Sequence, residues 1–175
     1  MKLFFAALIV LSHPAWPIGT HPYPGDPYII INKEKNQLAL IENGSIQKLY
    51  SIATGKLPEL TPEGEFTIVV KAEKPYYRKK SIPGGDPKNP LGARWIGFDA
   101  GETDGRIYGI HGTNNENSIG KYETLGCIRM HNNEVIEFYQ KVAIGTKIFV
   151  TKSKKSFDTL AKEKGALPFQ EDQSH

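Results

Sequence analysis

Residues His111 to Asn132 read HGTNNENSIGKYETLGCIRMHN. This stretch holds Cys127, the only cysteine of the 175-residue chain, and two of its five histidines, His111 and His131. The interval from His111 to Cys127 is too long for neighbours on one helix face, which lie three or four residues apart. It suits two elements whose ends are joined by a polar surface loop, NNENSIGKYET, and meet at one site. The expected architecture is therefore strand ends carrying a thiol and an imidazole on a mostly β framework.

A sole thiol close to histidines suggests chemistry before packing. The thiolate is the nucleophile, and a free thiol is mostly protonated at neutral pH, so a nearby base must take its proton. Cys127 and His111 supply that pair. Gly126 permits the tight backbone that aims successive N–H groups at an oxyanion, and Gly112 leaves the backbone beside His111 open. His131 is the rival base, but it falls where the chain turns into a helix, where a neutral or capping role fits better. A zinc site from Cys127, His111 and His131 fits less well, because structural zinc takes four ligands and catalytic zinc commonly three plus water.

At these residues the chain resembles the L,D-transpeptidase (YkuD-type) catalytic domain family. That family's signature is a histidine followed by Gly or Ser, then, after a dozen or so residues, Ser/Thr, any residue, Gly, Cys, an apolar residue, and Arg or Asn. Here it is filled by His111, Gly112, Thr124, Leu125, Gly126, Cys127, Ile128 and Arg129. Upstream, Ala53 to Ile68 (ATGKLPELTPEGEFTI) and Asn89 to Phe98 (NPLGARWIGF) match blocks that precede the histidine in the family. The resemblance covers about residues 28 to 150. One departure is Leu125, where many members carry a second histidine.

Bulk composition bounds the rest. The length suits one domain, and 39% hydrophobic with 23% charged residues is ordinary for a folded globular protein. A net charge of +3 argues against a dedicated nucleic-acid surface. One cysteine cannot form an internal disulfide. Met1 to Leu11, MKLFFAALIVL, has one positive charge followed by an apolar run of signal-peptide length, so export is expected with a leader over residues 1–20. The Pro/Gly-rich residues Ile18 to Pro27 read as a linker.

From Tyr28 the pattern is short β-prone runs between turns: YIIIN, QLALI and SIQKLYSIAT, with Asn43-Gly44 as a hairpin signal. TPEG (Thr61 to Gly64) reads as a β-turn before EFTIVVK. Lys74 to Pro90 is a basic, aromatic, proline-rich loop, long enough to suggest a lid or cleft wall. Strands resume at ARWIGFDA and RIYGIHGT. After Cys127 a helix is expected, capped by Asn132 or Asn133, built on Val135, Ile136, Tyr139, Val142 and Ala143, and stopped at Gly145. Its start lies about one turn beyond Cys127, where peptide N–H groups would favour a thiolate. TKIFVT is the last strand. Residues 152–175 read as a solvated polar tail, with a short helix ending at Gly165.

The fold class is thus a mostly β, antiparallel β-sandwich or partly closed sheet over residues 28–151, with one helix after the catalytic loop. The resemblance implies a cysteine acyltransferase acting on peptidoglycan tetrapeptide stems and passing the acyl group to an amine acceptor. It implies no metal or organic cofactor, and acylation of Cys127 by carbapenem β-lactams. It also implies that the Gly112 carbonyl orients His111 and that Arg129 positions substrate. Gly126 and Cys127 would offer N–H groups to the oxyanion, and Thr124, Tyr108 and Tyr122 would line the cleft. The alternatives are an L,D-carboxypeptidase, which hydrolyses the same acyl-enzyme, and a non-catalytic wall-binding module.

Overall fold

The computed structural model describes residues 25–168, so the leader expected over residues 1–20 lies outside the described residues. The run YIII opens β1 (Tyr28–Asn32), and all five residues of that strand are buried. Side chains of a strand alternate between faces, so an apolar run stays dry only if both faces are covered. Ile29 and Ile31 enter the main core, while Tyr28 and Ile30 enter a second cluster on the opposite face. β2 (Gln37–Glu42) pairs antiparallel with β1. Asn43 and Gly44, with φ of 51° and 69°, make the tight turn into β3 (Ser45–Ser51).

The remaining elements are β4 (Thr54–Gly55), β5 (Gly64–Glu73), β6 (Arg94–Phe98), β7 (Tyr108–His111), β8 (Tyr122–Thr124), β9 (Ile128–Arg129), α1 (Asn132–Lys141), β10 (Lys147–Thr151) and α2 (Phe157–Glu163). Eight strands form one sheet in the order β3-β2-β1-β10-β5-β6-β7-β9, and β4 pairs with β8 apart from it. The sheet is mostly antiparallel, as expected, but mixed rather than purely so. β10 runs parallel to β1, and β9 parallel to β7. Both follow from long connections: a strand reached through a helix or a long loop can enter the sheet in either sense, whereas a short hairpin allows only antiparallel pairing. Ile29, Ile96, Phe98, Ile110, Ile128 and Ile148 come from five strands yet share one core cluster with Val135 and Phe138 of α1, so the sheet curls around that helix.

His131 occupies the N-cap of α1, rather than Asn132 or Asn133, and its side chain makes no capping bond. At the other end Lys71 Nζ donates to the carbonyl oxygens of Tyr139 and Val142, 2.6 Å each, placing a cation where the helix dipole is negative. The helix closes at Lys141, before Gly145, whose φ of 94° then carries the chain into β10.

The C-terminal segment corrects a second expectation. Residues 157–167 are no solvated tail: α2 and the turn after it bury Phe157, Leu160, Ala161, Ala166 and Leu167 against Tyr28, Ile30, Ala39 and Ile41. Charges at every third or fourth position hid this short apolar stripe. Among the described residues there are thus two α-helices, one on each face of β1 and its neighbours.

The loop between β5 and β6 is pinned by Asn89, which is buried and donates to the carbonyls of Pro75 (2.8 Å) and Pro83 (3.1 Å) while accepting from Leu91 N–H (2.9 Å). Its tip is the 3-10 turn Arg78–Lys80, and its base returns to the sheet beside His111.

Candidate active site

β7 and β9 lie side by side, with Ile110 opposite Ile128 and His111 opposite Arg129. Ile110 and Ile128 face the core. By strand alternation, Gly109, His111 and Arg129 occupy the other face, and Cys127, just before β9, falls on that face too. The thiol of Cys127 donates to the Ile107 carbonyl at 3.4 Å, and the Gly109 N–H points to the sulfur from the same strand. The polar loop does what its spacing suggested: it brings the sole thiol to the strand that ends in His111.

The imidazole is held on two sides. Its Nδ1 lies 2.6 Å from the Gly112 carbonyl oxygen. Since that oxygen can only accept, Nδ1 carries the hydrogen and Nε2 keeps its lone pair. The Trp95 indole stacks on the ring, with centroids 5.5 Å apart and an interplanar angle of 15°. Burial pushes the His111 pKa down to about 4, with Arg129 adding to the fall and the Gly112 carbonyl opposing it. Burial likewise pushes the Cys127 thiol up, against the Gly109 N–H, Lys79 and Arg129, which favour the thiolate. At neutral pH the pair therefore rests as neutral imidazole and thiol.

This corrects the expected role of the helix. The first turn of α1 meets the carboxylate of Glu116, which accepts from Asn132 N–H at 3.3 Å and contacts His131 Nδ1. Anion stabilisation at the sulfur comes from a strand N–H and two cations instead. His131 pairs with Glu116 rather than with the thiol, and among the described residues no three metal-ligating side chains are grouped.

The turn before Cys127 explains its own sequence. Gly126 has φ +129°, and a Cβ there would lie 2.4 Å from the Leu60 carbonyl oxygen. Thr61 Oγ1 accepts from Gly55 N–H (2.9 Å) and donates to the Gly126 carbonyl (3.0 Å). Lys33, buried, donates to the carbonyls of Pro58 and Thr61 at 2.7 and 2.9 Å and pairs with Glu63 at 2.9 Å. The TPEG block is thus the buttress of the turn that leads into Cys127.

Thr124 is buried and does not face a cleft. Its hydroxyl donates to the Cys127 carbonyl (2.7 Å) and accepts from the Gly126 N–H (3.0 Å). That N–H is consequently committed, which leaves the Cys127 N–H as the donor of the turn. Tyr108 stacks on Phe98, with centroids 6.3 Å apart, and its ring edge borders the turn before Cys127, where a Cβ added at Gly126 would lie 3.4 Å from it. Tyr122 lines a cleft of about 290 Å³ with Lys33, Lys56, Leu57 and Pro58, whose walls include neither Cys127 nor His111. Arg129 makes no ion pair among the described residues, and its main chain is bonded both ways to Ala53 (2.9 and 3.0 Å). Trp95 and Gly109 have no site role in the sequence reading, and Asn132 appears there only as a helix-cap candidate. A glycine inside the strand YGIH was a usable signal, since such glycines mark a close approach.

A curled mixed sheet sets a lone thiol on the strand pair that carries a buried, oriented imidazole, the two residue types that a cysteine–histidine site requires. The chain belongs to the L,D-transpeptidase catalytic domain family (YkuD), whose pattern matches residues 26–150. Among curated relatives, "Putative L,D-transpeptidase YqjB" of Bacillus subtilis (strain 168) is 56% identical over 167 residues, covering 95% of each chain. "Putative L,D-transpeptidase YkuD" of the same organism is 38% identical over 131 residues, 75% of this chain and 70% of that one. Solved structures share the fold. An L,D-transpeptidase from Mycobacterium smegmatis matches with TM-score 0.58 at 21% identity, over 73% of this chain and 59% of that one. The E. faecium L,D-transpeptidase catalytic domain acylated by ertapenem matches with TM-score 0.55 at 22% identity, over 74% and 100%.

Proposed function

We propose that this protein is a cysteine-dependent L,D-transpeptidase of the cell wall, acting outside the cytoplasm on tetrapeptide stems of peptidoglycan. Nε2 of His111 takes the Cys127 proton as the sulfur attacks the carbonyl of the stem's third residue, at its L centre. The Cys127 N–H faces the tetrahedral oxyanion, and Arg129, without a carboxylate partner among the described residues, holds a substrate carboxylate. The imidazolium then protonates the leaving amine, releasing the terminal D-amino acid and a thioester on Cys127. A second stem's side-chain amine attacks that thioester, forming the cross-link and returning the thiol.

The observation that carries this reading is the 2.6 Å contact from His111 Nδ1 to the Gly112 carbonyl, which leaves the lone pair on Nε2 and so supports that atom as the base. The resting pair is uncharged, so general-base catalysis during attack fits better than a preformed ion pair. A carbapenem offers the same electrophile, an activated acyl carbon, to the same sulfur.

The test incubates purified protein with tetrapeptide stems, with and without an added diamino-acid acceptor, and reads products by mass spectrometry. Cross-linked dimers support the transpeptidase; tripeptide alone would make the protein an L,D-carboxypeptidase. Unchanged stems with the wild type, or product formed by Cys127→Ala, would sink the reading.

A further inference from the structure

The imidazole is oriented by a backbone carbonyl, and a peptide group can rotate unless something fixes it. The Gly112 carbonyl belongs to the peptide unit that ends in the Thr113 N–H, and that unit is planar, so holding one end fixes the other. The sheet does not hold it. The bonds of β7 to its neighbours finish with the Gly112 N–H on the Arg94 carbonyl (3.3 Å) and the Met130 N–H on the His111 carbonyl (2.9 Å). The next peptide unit, the one that matters, lies beyond them and starts from a glycine, the residue with the softest backbone.

The side chain of Asn132 closes on that unit. Its Oδ1 accepts from the Thr113 N–H (3.4 Å) and from the Ala93 N–H (3.0 Å). Its Nδ2 donates to the Thr113 carbonyl (2.5 Å) and to Glu116 Oε1 (3.0 Å). One amide thus ties together the base of the long loop, the peptide after the histidine and the 3-10 turn at Glu116–Ser118. Two glycines exist to admit it. A Cβ at Gly112 would lie 2.2 Å from Asn132 Oδ1, and one at Gly92 2.3 Å from the same atom.

We infer that Asn132 is a positioning residue for the acyl-transfer reaction: it locks the Gly112–Thr113 peptide plane so that the Gly112 carbonyl keeps His111 in the Nδ1–H tautomer, and Glu116 acts by holding Asn132. The inference rests on the transpeptidase reading for its consequence in rate, though not for the tautomer itself. The backbone carbonyl takes the part that a carboxylate plays in a serine triad, and the asparagine supplies the rigidity that a carbonyl on a glycine lacks.

The experiment compares wild type, Asn132→Ala, Glu116→Ala, Glu116→Gln and the double alanine variant. Three readouts are taken: nitrogen-15 shifts of the His111 ring, the rate of Cys127 acylation by a carbapenem, and alkylation of Cys127 by iodoacetamide above the thiol pKa, where no base is needed. Asn132→Ala should slow acylation about tenfold or more and replace the single Nδ1–H signature with a mixture, while leaving alkylation and the folded near-UV spectrum unchanged. Glu116→Gln, which keeps the accepting oxygen, should stay within about twofold of wild type. Glu116→Ala should add nothing to Asn132→Ala, because the two act through one contact. An unchanged tautomer in Asn132→Ala overturns the inference, as does a loss of acylation matched by an equal loss of alkylation or of fold. A wild-type protein that no carbapenem acylates would sink the transpeptidase reading alone, since the ring signature would still judge the clamp.

Discussion

The indole of Trp95 lies nearly parallel to the imidazole of His111, and Gly109 is bare because the indole fills the space where its side chain would be: a Cβ there would come within 2.6 Å of the ring. Burial is the main cause of the low imidazole pKa, and the indole forms one wall of that burial. Trp95→Leu should admit water, so the His111 midpoint, followed by proton NMR, should rise from about 4 toward 6.5. A midpoint that stays at its wild-type value would mean that the burial comes from other walls.

The same shift makes acid destabilising. His111 takes its proton at about 4 when folded and at 6.5 when unfolded, so between those values the unfolded chain binds more protons. Stability is full above 6.5 and falls as the pH drops through about 4, by a loss on the order of 3 kcal/mol. In urea titrations across that window, His111→Gln should show a flatter dependence on pH than wild type. Equal slopes would contradict a buried neutral imidazole.

For the thiol the sign is opposite in charge and alike in cause. Burial raises Cys127 above its ordinary 9.0, so the free protein holds little thiolate at neutral pH. Iodoacetamide, which offers no proton acceptor and needs the thiolate, should react slowly at pH 7 and rise steeply only above the ordinary value. A carbapenem, whose attack can use His111 as the base, should acylate the same sulfur at pH 7 if the proposed general-base order holds. Fast alkylation at neutral pH would indicate a preformed ion pair and overturn the general-base order of events.

How much of this could be read from the chain depends on whether the signal was local. The Asn43-Gly44 turn and the four apolar residues from Tyr28 are local patterns, and they decide β1 to β3. Cys127 and His111 stood out by chemistry and spacing. What escaped was set by partners distant in sequence. Thr124 was expected to face substrate, and only the fold shows its hydroxyl spent between Gly126 and Cys127. Asn132 was read as a helix cap because Asn before an apolar-periodic run is a cap signal; its partners are Ala93, Thr113 and Glu116. The parallel pairs needed knowledge of which strand the chain returns to, and no local pattern carries that.

Gly126 offers a test of the turn. Its φ of +129° strains any side chain, and a Cβ would also strike the Leu60 carbonyl at 2.4 Å. Gly120 has φ +85° with nothing within 4 Å of the added carbon, so alanine there meets strain without collision. Gly126→Ala should therefore cost more than the roughly 1–3 kcal/mol of strain expected for Gly120→Ala, and should also slow carbapenem acylation, which Gly120→Ala should leave intact. Equal melting temperatures and equal rates would show that the Leu60 contact yields freely.

The C-terminal helix can be judged by removal. Tyr28, Ile30, Ala39 and Ile41 are at or below 1% exposure because Phe157, Leu160, Ala161, Ala166 and Leu167 cover them. Ending the chain after Thr151 would uncover that face of β1 and β2 and leave a large apolar patch, a recipe for aggregation. The milder change Leu160→Ala opens a cavity in the same cluster and should cost about 2–5 kcal/mol, measured by urea unfolding. The site lies elsewhere on the sheet, so carbapenem acylation by the folded Leu160→Ala protein should match wild type. A truncated chain that stays soluble with an unchanged melting temperature would return residues 152–175 to the status of a solvated tail.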